Sequence, residues 1–341
     1  MCGITLFASA FSPPYAPLLI AALLLAMLID RLWGEPPTWL HPVVAMGHYL
    51  DAIGRRIAPT AAAQNRQSAN RLVLLGGLAW GLGAGLVVLL ALVLQLLLMQ
   101  LQGAYALLGI LALAFLLKPM FAYRMLRTEV EAVEAALQIS LAAGQKRLSY
   151  LVSRDTHHLN AVQVREAAIE TLAENFNDSF IAPLFWFCVG GLPAAALYRY
   201  ANTADASWGY MGARGGRDWT HAGRFAARAD DVLSWLPARI TALLILIAAR
   251  AGLTALNIQN TLKEARKTPS PNSGWPMAAM ALVLDVSLGK PGVYRLHPPG
   301  HAPQATDLHA ALAIAARCWR LVLLLATLSL LAALYRYSSA L

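Results

Sequence analysis

The sequence predicts an all-α, polytopic integral membrane protein with roughly four to six membrane segments, cytoplasm-facing amphipathic helices and polar loops. Three observations carry this. Of 341 residues, 58% are hydrophobic and only 13% are charged, where a soluble domain carries about a quarter charged. The mean hydropathy is +0.53. The apolar runs are rich in Leu and Ala and lack the alternation of β-branched residues that marks strands. No fixed-period repeat or low-complexity tract divides the chain, so residues 1–341 read as a single membrane domain.

The apolar segments are 18–33, 72–117, 180–198, 240–253 and 319–335. Met1 to Pro17 has no basic residue ahead of its apolar part and is broken by Pro13, Pro14 and Pro17, so it does not read as a cleaved signal. Leu18 to Trp33 is a short first segment ending in Asp30 and Arg31. Leu72 to Leu101 carries no charge and is long enough to span; with Ala104 to Leu117 it reads as a membrane hairpin. Pro119 to Ala143 is amphipathic, with Gly144 as its expected stop. Gly190, Gly191 and Pro193 interrupt the 180–198 segment, which therefore reads as re-entrant or broken. Trp319 to Tyr335 is a clean final span.

The polar stretches 118–179, 199–239 and 254–318 each hold at least six Lys or Arg. The charge rule assigns all three to the cytoplasm, which full crossings at every apolar segment do not satisfy. The net charge of +9 fits anionic lipid, and no nucleic-acid module accompanies it. Cys2, Cys188 and Cys318 lack any disulfide or zinc spacing. Phosphate-binding GxxxxGK[ST], GxGxxG and zinc-protease HExxH motifs are missing.

The chemistry concentrates in a few blocks. Ser153 to Ser179 is dense in ionisable and amide groups, and Glu166, Glu170, Glu174 and Asp178 recur every four residues. On one helix face, neighbouring like charges cost roughly 0.2–0.5 kcal/mol per pair, a cost that a bound cation reverses. Glu170, Glu174, Asn175 and Asp178 are the expected magnesium ligands, since oxygen donors suit that ion beside substrate phosphates. A solvated helix face is the plain alternative. Ahead of the helix, Arg154 is placed to meet phosphate and Asp155 to cap or to take a proton.

Further metal candidates are Asp205, Asp230 and Asp231, the last two equally readable as helix caps or salt-bridge partners of Arg224 and Arg228. Arg214 and Arg217 fall in a glycine-rich loop readable as a linker. The segment Lys263 to Pro276 joins Lys263, Arg266 and Lys267 to a turn bearing Ser270 and Asn272, a cradle for an anion or else a juxtamembrane cationic cluster. His41, in the proline-fixed loop Asp30 to Pro42, is a second candidate proton acceptor, or part of an interfacial anchor with Trp33 and Trp39.

Taken in order, DRLWGEPPTWLHPV, SRDT, ETLAENFNDSFIAPLFW, NTADASWGY, FAARADDVLSWLPARITALL and EARKTPSPNSGWPMAAMA resemble the successive signatures of the adenosylcobinamide-phosphate synthase family of cobalamin biosynthesis, the CobD/CbiB type. The resemblance covers about residues 18 to 290 and implies a multi-pass enzyme of the bacterial inner membrane. It implies an ATP- and Mg2+-dependent acid–amine ligase with its site on the cytoplasmic side, joining adenosylcobyric acid, a corrinoid, to aminopropanol or its phosphate. The implied partners are that corrinoid, the amino-alcohol, the lipid bilayer and other enzymes of the pathway, with no nucleic acid and no tightly held cofactor. His157, His158, His297 and His301 fall outside those signatures. Two other classes fit parts of the pattern: a transporter with re-entrant segments, and a metal-dependent membrane phosphotransferase suggested by Asp205 with Ala213 and Arg214.

Overall fold

A computed structural model describes residues 15–61 and 68–339; Cys2 and the expectation for Met1 to Pro14 lie outside them. The protein is an all-α, polytopic membrane protein, and among the described residues six helical segments are long and apolar enough to cross a membrane. The chain forms two compact units, one of residues 1–121, 182–233 and 326–341, the other of residues 122–181 and 234–325.

In the first unit, α1 (Ala16–Trp33) packs on α4 (Ala106–Leu117), while α2 (Pro42–Ile57) and α3 (Ala69–Met99) pack on α8 (Ala182–Trp208). The two faces of α3 differ in kind. Leu74, Leu78, Leu82, Leu86 and Leu90 form an exposed leucine row, suited to lipid. Gly76, Gly83, Ala84 and Ala91 line the buried face, where small residues let helices approach closely. A Cβ on Gly76 would strike the Ala222 carbonyl, so no side chain fits there.

The expected break in the 180–198 apolar segment is present. Gly190 (φ −144°, ψ 21°) and Gly191 (φ 65°, ψ −156°) leave helical geometry inside α8, and Pro193 follows where its missing N–H costs nothing. The break exposes the Leu192 N–H, which donates to Oε1 of buried Gln95 at 2.7 Å. A side chain on Gly191 would collide with that amide.

Past α8, a hairpin of β1 (Ala213–Arg214) and β2 (Arg217–Asp218) turns on Gly215 and Gly216. Both glycines have positive φ, as a two-residue hairpin turn requires. The stretch expected to be a flexible linker is thus a pinned hairpin: Ala61 N–H donates to Gly216 O, and Asp218 N–H to Pro59 O.

In the second unit, α5 (Tyr123–Ile139) packs against α6 (Leu141–Leu148) and α7 (Ala161–Phe176). Gly144 is not the stop expected for α5. It lies buried within α6, where a Cβ would overlap Leu137, and Ser140 caps that short helix instead. Asp155 is not the cap of the acidic helix either. Asn160 and Gln163 form a reciprocal capping box on α7, because Asn160 stands directly before its first turn. Buried Glu134 receives two 2.8 Å hydrogen bonds from Arg165, which locks α5 to α7.

The α7 helix passes into a π-helical turn, Asn177–Ile181, and an aromatic cluster of Tyr123, Phe176, Phe180 and Trp319 packs beside it. The unit is completed by α10 (Ala255–Ala265), α11 (Gly274–Leu284) and a hairpin of β3 (Leu288–Lys290) and β4 (Tyr294–Leu296). Two long helices, α9 (Arg224–Ala248) and α12 (Ala305–Ser338), contribute residues to both units.

Candidate functional site

The acidic stripe on α7 does form, but it is not a solvated face. Glu166 and Glu170 are each only 4% exposed, so their charges need protein partners. Those partners are loose. Arg154 Nη2 lies 3.5 Å from Glu170 Oε2, and Arg295 Nη1, on β4, lies 4.0 Å from Glu166 Oε1 while donating to Ser287. Glu170 Oε1 is buried without a hydrogen-bond partner among the described residues. Tyr294, beside Arg295, faces Glu170; burial and the neighbouring carboxylate hold its phenol above the ordinary value.

The remaining expected ligands on this helix are turned to local duties. Asn175 Nδ2 donates to the Thr171 carbonyl, and Asn177 Nδ2 donates to Asp178 while its Oδ1 accepts from Thr241. Among the described residues no three His, Cys, Asp or Glu side chains converge as a metal site. The four-ligand cage expected of Glu170, Glu174, Asn175 and Asp178 is therefore not assembled; the stripe winds from buried Glu166 and Glu170 to the half-buried Glu174 and Asp178.

The Lys263 to Pro276 segment builds a cavity of about 670 Å3, walled by Trp235, Arg239, Arg266, Thr268, Ser270 and Trp275. Arg239 lies between two indoles, 4.2 Å from the Trp235 ring centre and 4.7 Å from that of Trp275. It donates to Asn272 Oδ1 at 3.1 Å and to the Pro271 carbonyl. Ser270 Oγ accepts from the Asn272 and Ser273 N–H groups, tightening the turn. Gly274 sits against the Ala265 carbonyl, too close for any side chain.

Only part of the expected cationic set serves this cavity. Lys267 binds both oxygens of Glu264 at 2.6–2.7 Å, and the same carboxylate receives the His297 N–H, so Lys267 is a structural partner rather than a free phosphate ligand. Lys263 is exposed on α10 and does not line the cavity. One turn of α11 links cavity and stripe: Gly274 begins the helix at the cavity turn, and Met277 Sδ accepts from the Tyr294 hydroxyl at 3.8 Å.

Asp155 is exposed. The His157 N–H donates to it at 2.9 Å, and this bond holds its carboxyl below the usual range.

The other expected groups belong to the first unit. His41 is fully engaged: Nδ1 accepts from Val43 N–H, capping α2, and Nε2 lies 3.1 Å from Glu35. That leaves no lone pair for a base, and the ring fixes the proline loop instead. Buried Lys118 completes this network, 2.6 Å from Glu35 and 3.0 Å from Asp30. Burial works against the Glu35 charge, but His41 and Lys118 outweigh it and keep the carboxyl below its ordinary value. Asp205 stands within electrostatic reach of Asp231, and Asn202 Nδ2 donates to Asp230 at 3.4 Å.

Sequence reasoning passed over Tyr294, Arg295 and Thr268 and gave Trp235 and Arg239 no role. The signal for the first two was a hairpin, since Lys290-Pro291-Gly292-Val293 is a turn sequence with Gly292 at φ 73°.

The family described as "CobD/Cbib protein" matches residues 23–325. The chain is 39% identical over 284 residues to the "Probable cobalamin biosynthesis protein CobD" of Methanothermobacter thermautotrophicus, spanning 82% of this chain and 87% of the relative. It is 39% identical over 319 residues to the "Cobalamin biosynthesis protein CobD" of Chromobacterium violaceum, spanning 91% and 95%, and 37% identical over 280 residues to the protein of the same description in Halalkalibacterium halodurans, spanning 81% and 83%. No solved structure matches the chain. With a match across nearly its whole length and relatives this similar, the chain belongs to the CobD/CbiB family.

Proposed function

We propose that this protein acts in cobalamin biosynthesis as an ATP- and magnesium-dependent acid–amine ligase of the bacterial inner membrane. Adenosylcobyric acid is the acid, and aminopropanol or its phosphate is the amine. A propionate carboxylate has no leaving group better than oxide, so it requires activation. A carboxylate oxygen attacks the γ-phosphorus of ATP and ADP departs; the amine nitrogen then attacks the acyl carbon, phosphate leaves, and the nitrogen gives up a proton.

One observation supports this reading most: an arginine- and hydroxyl-lined cavity with two indole walls has its Trp275 on α11, the helix whose Met277 accepts from Tyr294, and Tyr294 faces buried Glu170. In the proposal, Arg239 and Arg266 neutralise phosphate oxygens, Thr268 and Ser270 orient them, and an indole stacks on the base. Phosphoryl transfer depends chiefly on such positioning and charge neutralisation. Magnesium fits a single well-placed carboxylate, because it keeps several waters and shares phosphate oxygens; Glu170 Oε1 has an open acceptor for it. The ion would supply neutralisation of the triphosphate. Glu174, Asp178, Asp205, Asp230 and Asp231 remain secondary candidates, Arg154 orients Glu170 and is available to phosphate, and Asp155 takes the proton.

The test is to incubate membranes bearing the protein with adenosylcobyric acid, ATP, magnesium and aminopropanol phosphate, then to weigh the corrinoid. The expected product carries the added amine less one water. Unchanged corrinoid mass, under conditions where a known synthase turns over, removes the proposal.

A further inference from the structure

Outside the groups assigned above, the first unit holds a cavity of about 510 Å3 at the β1–β2 hairpin, within the size of small-molecule sites. Its walls carry Asp51, Arg55, Arg214, Arg217, Trp208 and Trp219. Arg55 and Asp51 cancel one another at 2.7 Å. Arg214 and Arg217 form no salt bridge among the described residues. Arg214 lies over the Tyr210 ring at 3.7 Å, and Arg217 spends one N–H on the Ala58 carbonyl at 2.6 Å. Both guanidinium groups are thus held in position with no carboxylate bound to them among the described residues.

The frame around them is rigid. Thr60 pairs with Arg217 through a single antiparallel bridge, and the Trp219 backbone N–H donates to Gly212 O. Trp208 and Trp219 stack 6.0 Å apart, 14° from parallel, with Trp208 Nε1 tied to Leu50 O. Two fixed forks suit the paired oxygens of a phosphate, and the indole wall suits an organic substituent rather than a bare ion.

We infer that this hairpin cavity binds the phosphate group of a phosphate ester, held by Arg214 and Arg217 with the organic part against Trp208 and Trp219. Two sources share that chemistry, a soluble phosphate ester and a lipid headgroup. The inference is independent of the ligase reading, because none of the residues assigned there lines this cavity.

The experiment is calorimetric titration of the full-length protein in phosphate-free maltoside detergent with glycerol phosphate and, separately, with short-chain phosphatidylglycerol. At least one probe is expected to bind, with affinity reduced tenfold or more in Arg214→Gln/Arg217→Gln and unchanged in Arg320→Gln, a substitution at an exposed arginine of α12. Binding of glycerol phosphate identifies a soluble ester as the source; binding of the lipid alone identifies a headgroup. If the double variant does not fold, Arg214→Lys and Arg217→Lys are read singly, each expected to weaken binding by loss of the planar fork. Failure of both probes to bind, or binding indifferent to these substitutions, overturns the inference while leaving the ligase assay untouched.

Discussion

Two charge clusters, one in each unit, contrast in how closely they are paired. In the first unit, Lys118 closes on Asp30 and Glu35 at 3.0 and 2.6 Å, and His41 takes the remaining side of Glu35. In the second, Arg154 and Arg295 stand 3.5 and 4.0 Å from Glu170 and Glu166. Burying a charge is costly unless it is fully compensated. A tight cluster holds a loop to a helix; a loose one retains capacity for a ligand. On the proposed reading, the difference separates residues that maintain the fold from those placed to act on substrate, although both sets look alike as sequence.

The largest expected effect is on the tight cluster. Lys118→Met removes the cation that pairs buried Asp30 and part-buried Glu35 and is expected to destabilise the protein by about 3–5 kcal/mol, seen as a lowered unfolding temperature in detergent. A stability equal to wild type would show that the cluster is not structural. On the loose cluster the prediction is reversed: Glu170→Gln keeps the fold but lowers ligase turnover by about a hundredfold, or ~2.7 kcal/mol in the barrier. An unfolded Glu170→Gln protein, or one at full rate, would erase the contrast.

Next in size, Gln95→Leu strands the Leu192 N–H at the break in α8 and is expected to cost about 1–3 kcal/mol, measurable by thermal unfolding. The smallest effect concerns pH. Because Glu35 has a folded value below its ordinary 4.5, its contribution is present above that value and is lost as pH falls through the lower folded one. Glu35→Gln is expected to remove this part of the acid sensitivity. Identical acid profiles for the two proteins would place the sensitivity elsewhere.

The helical, membrane-embedded class was legible because composition and apolar run length report directly on solvent. The break at Gly190 and Gly191 was legible for the same local reason. The site was legible only in part. The α7 stripe and the Ser270–Asn272 turn are contiguous motifs, and both carry polar groups into the second unit. What the sequence could not reveal is pairing between distant segments: that Glu35 engages Lys118, that Glu134 engages Arg165, or that Tyr294 and Arg295 reach α7 from a hairpin. Burial decides those assignments, and a spacing rule on one helix contains no information about what packs across it.

The hydrogen bond from Leu192 to Gln95 joins residues 97 positions apart. During synthesis, α3 must therefore already be in place before the second half of the glycine-broken segment can satisfy its first amide. The acceptor leaves the ribosome well ahead of the donor, so chain order itself sets an order of assembly within the bilayer, with the earlier helix acting as template for the later one.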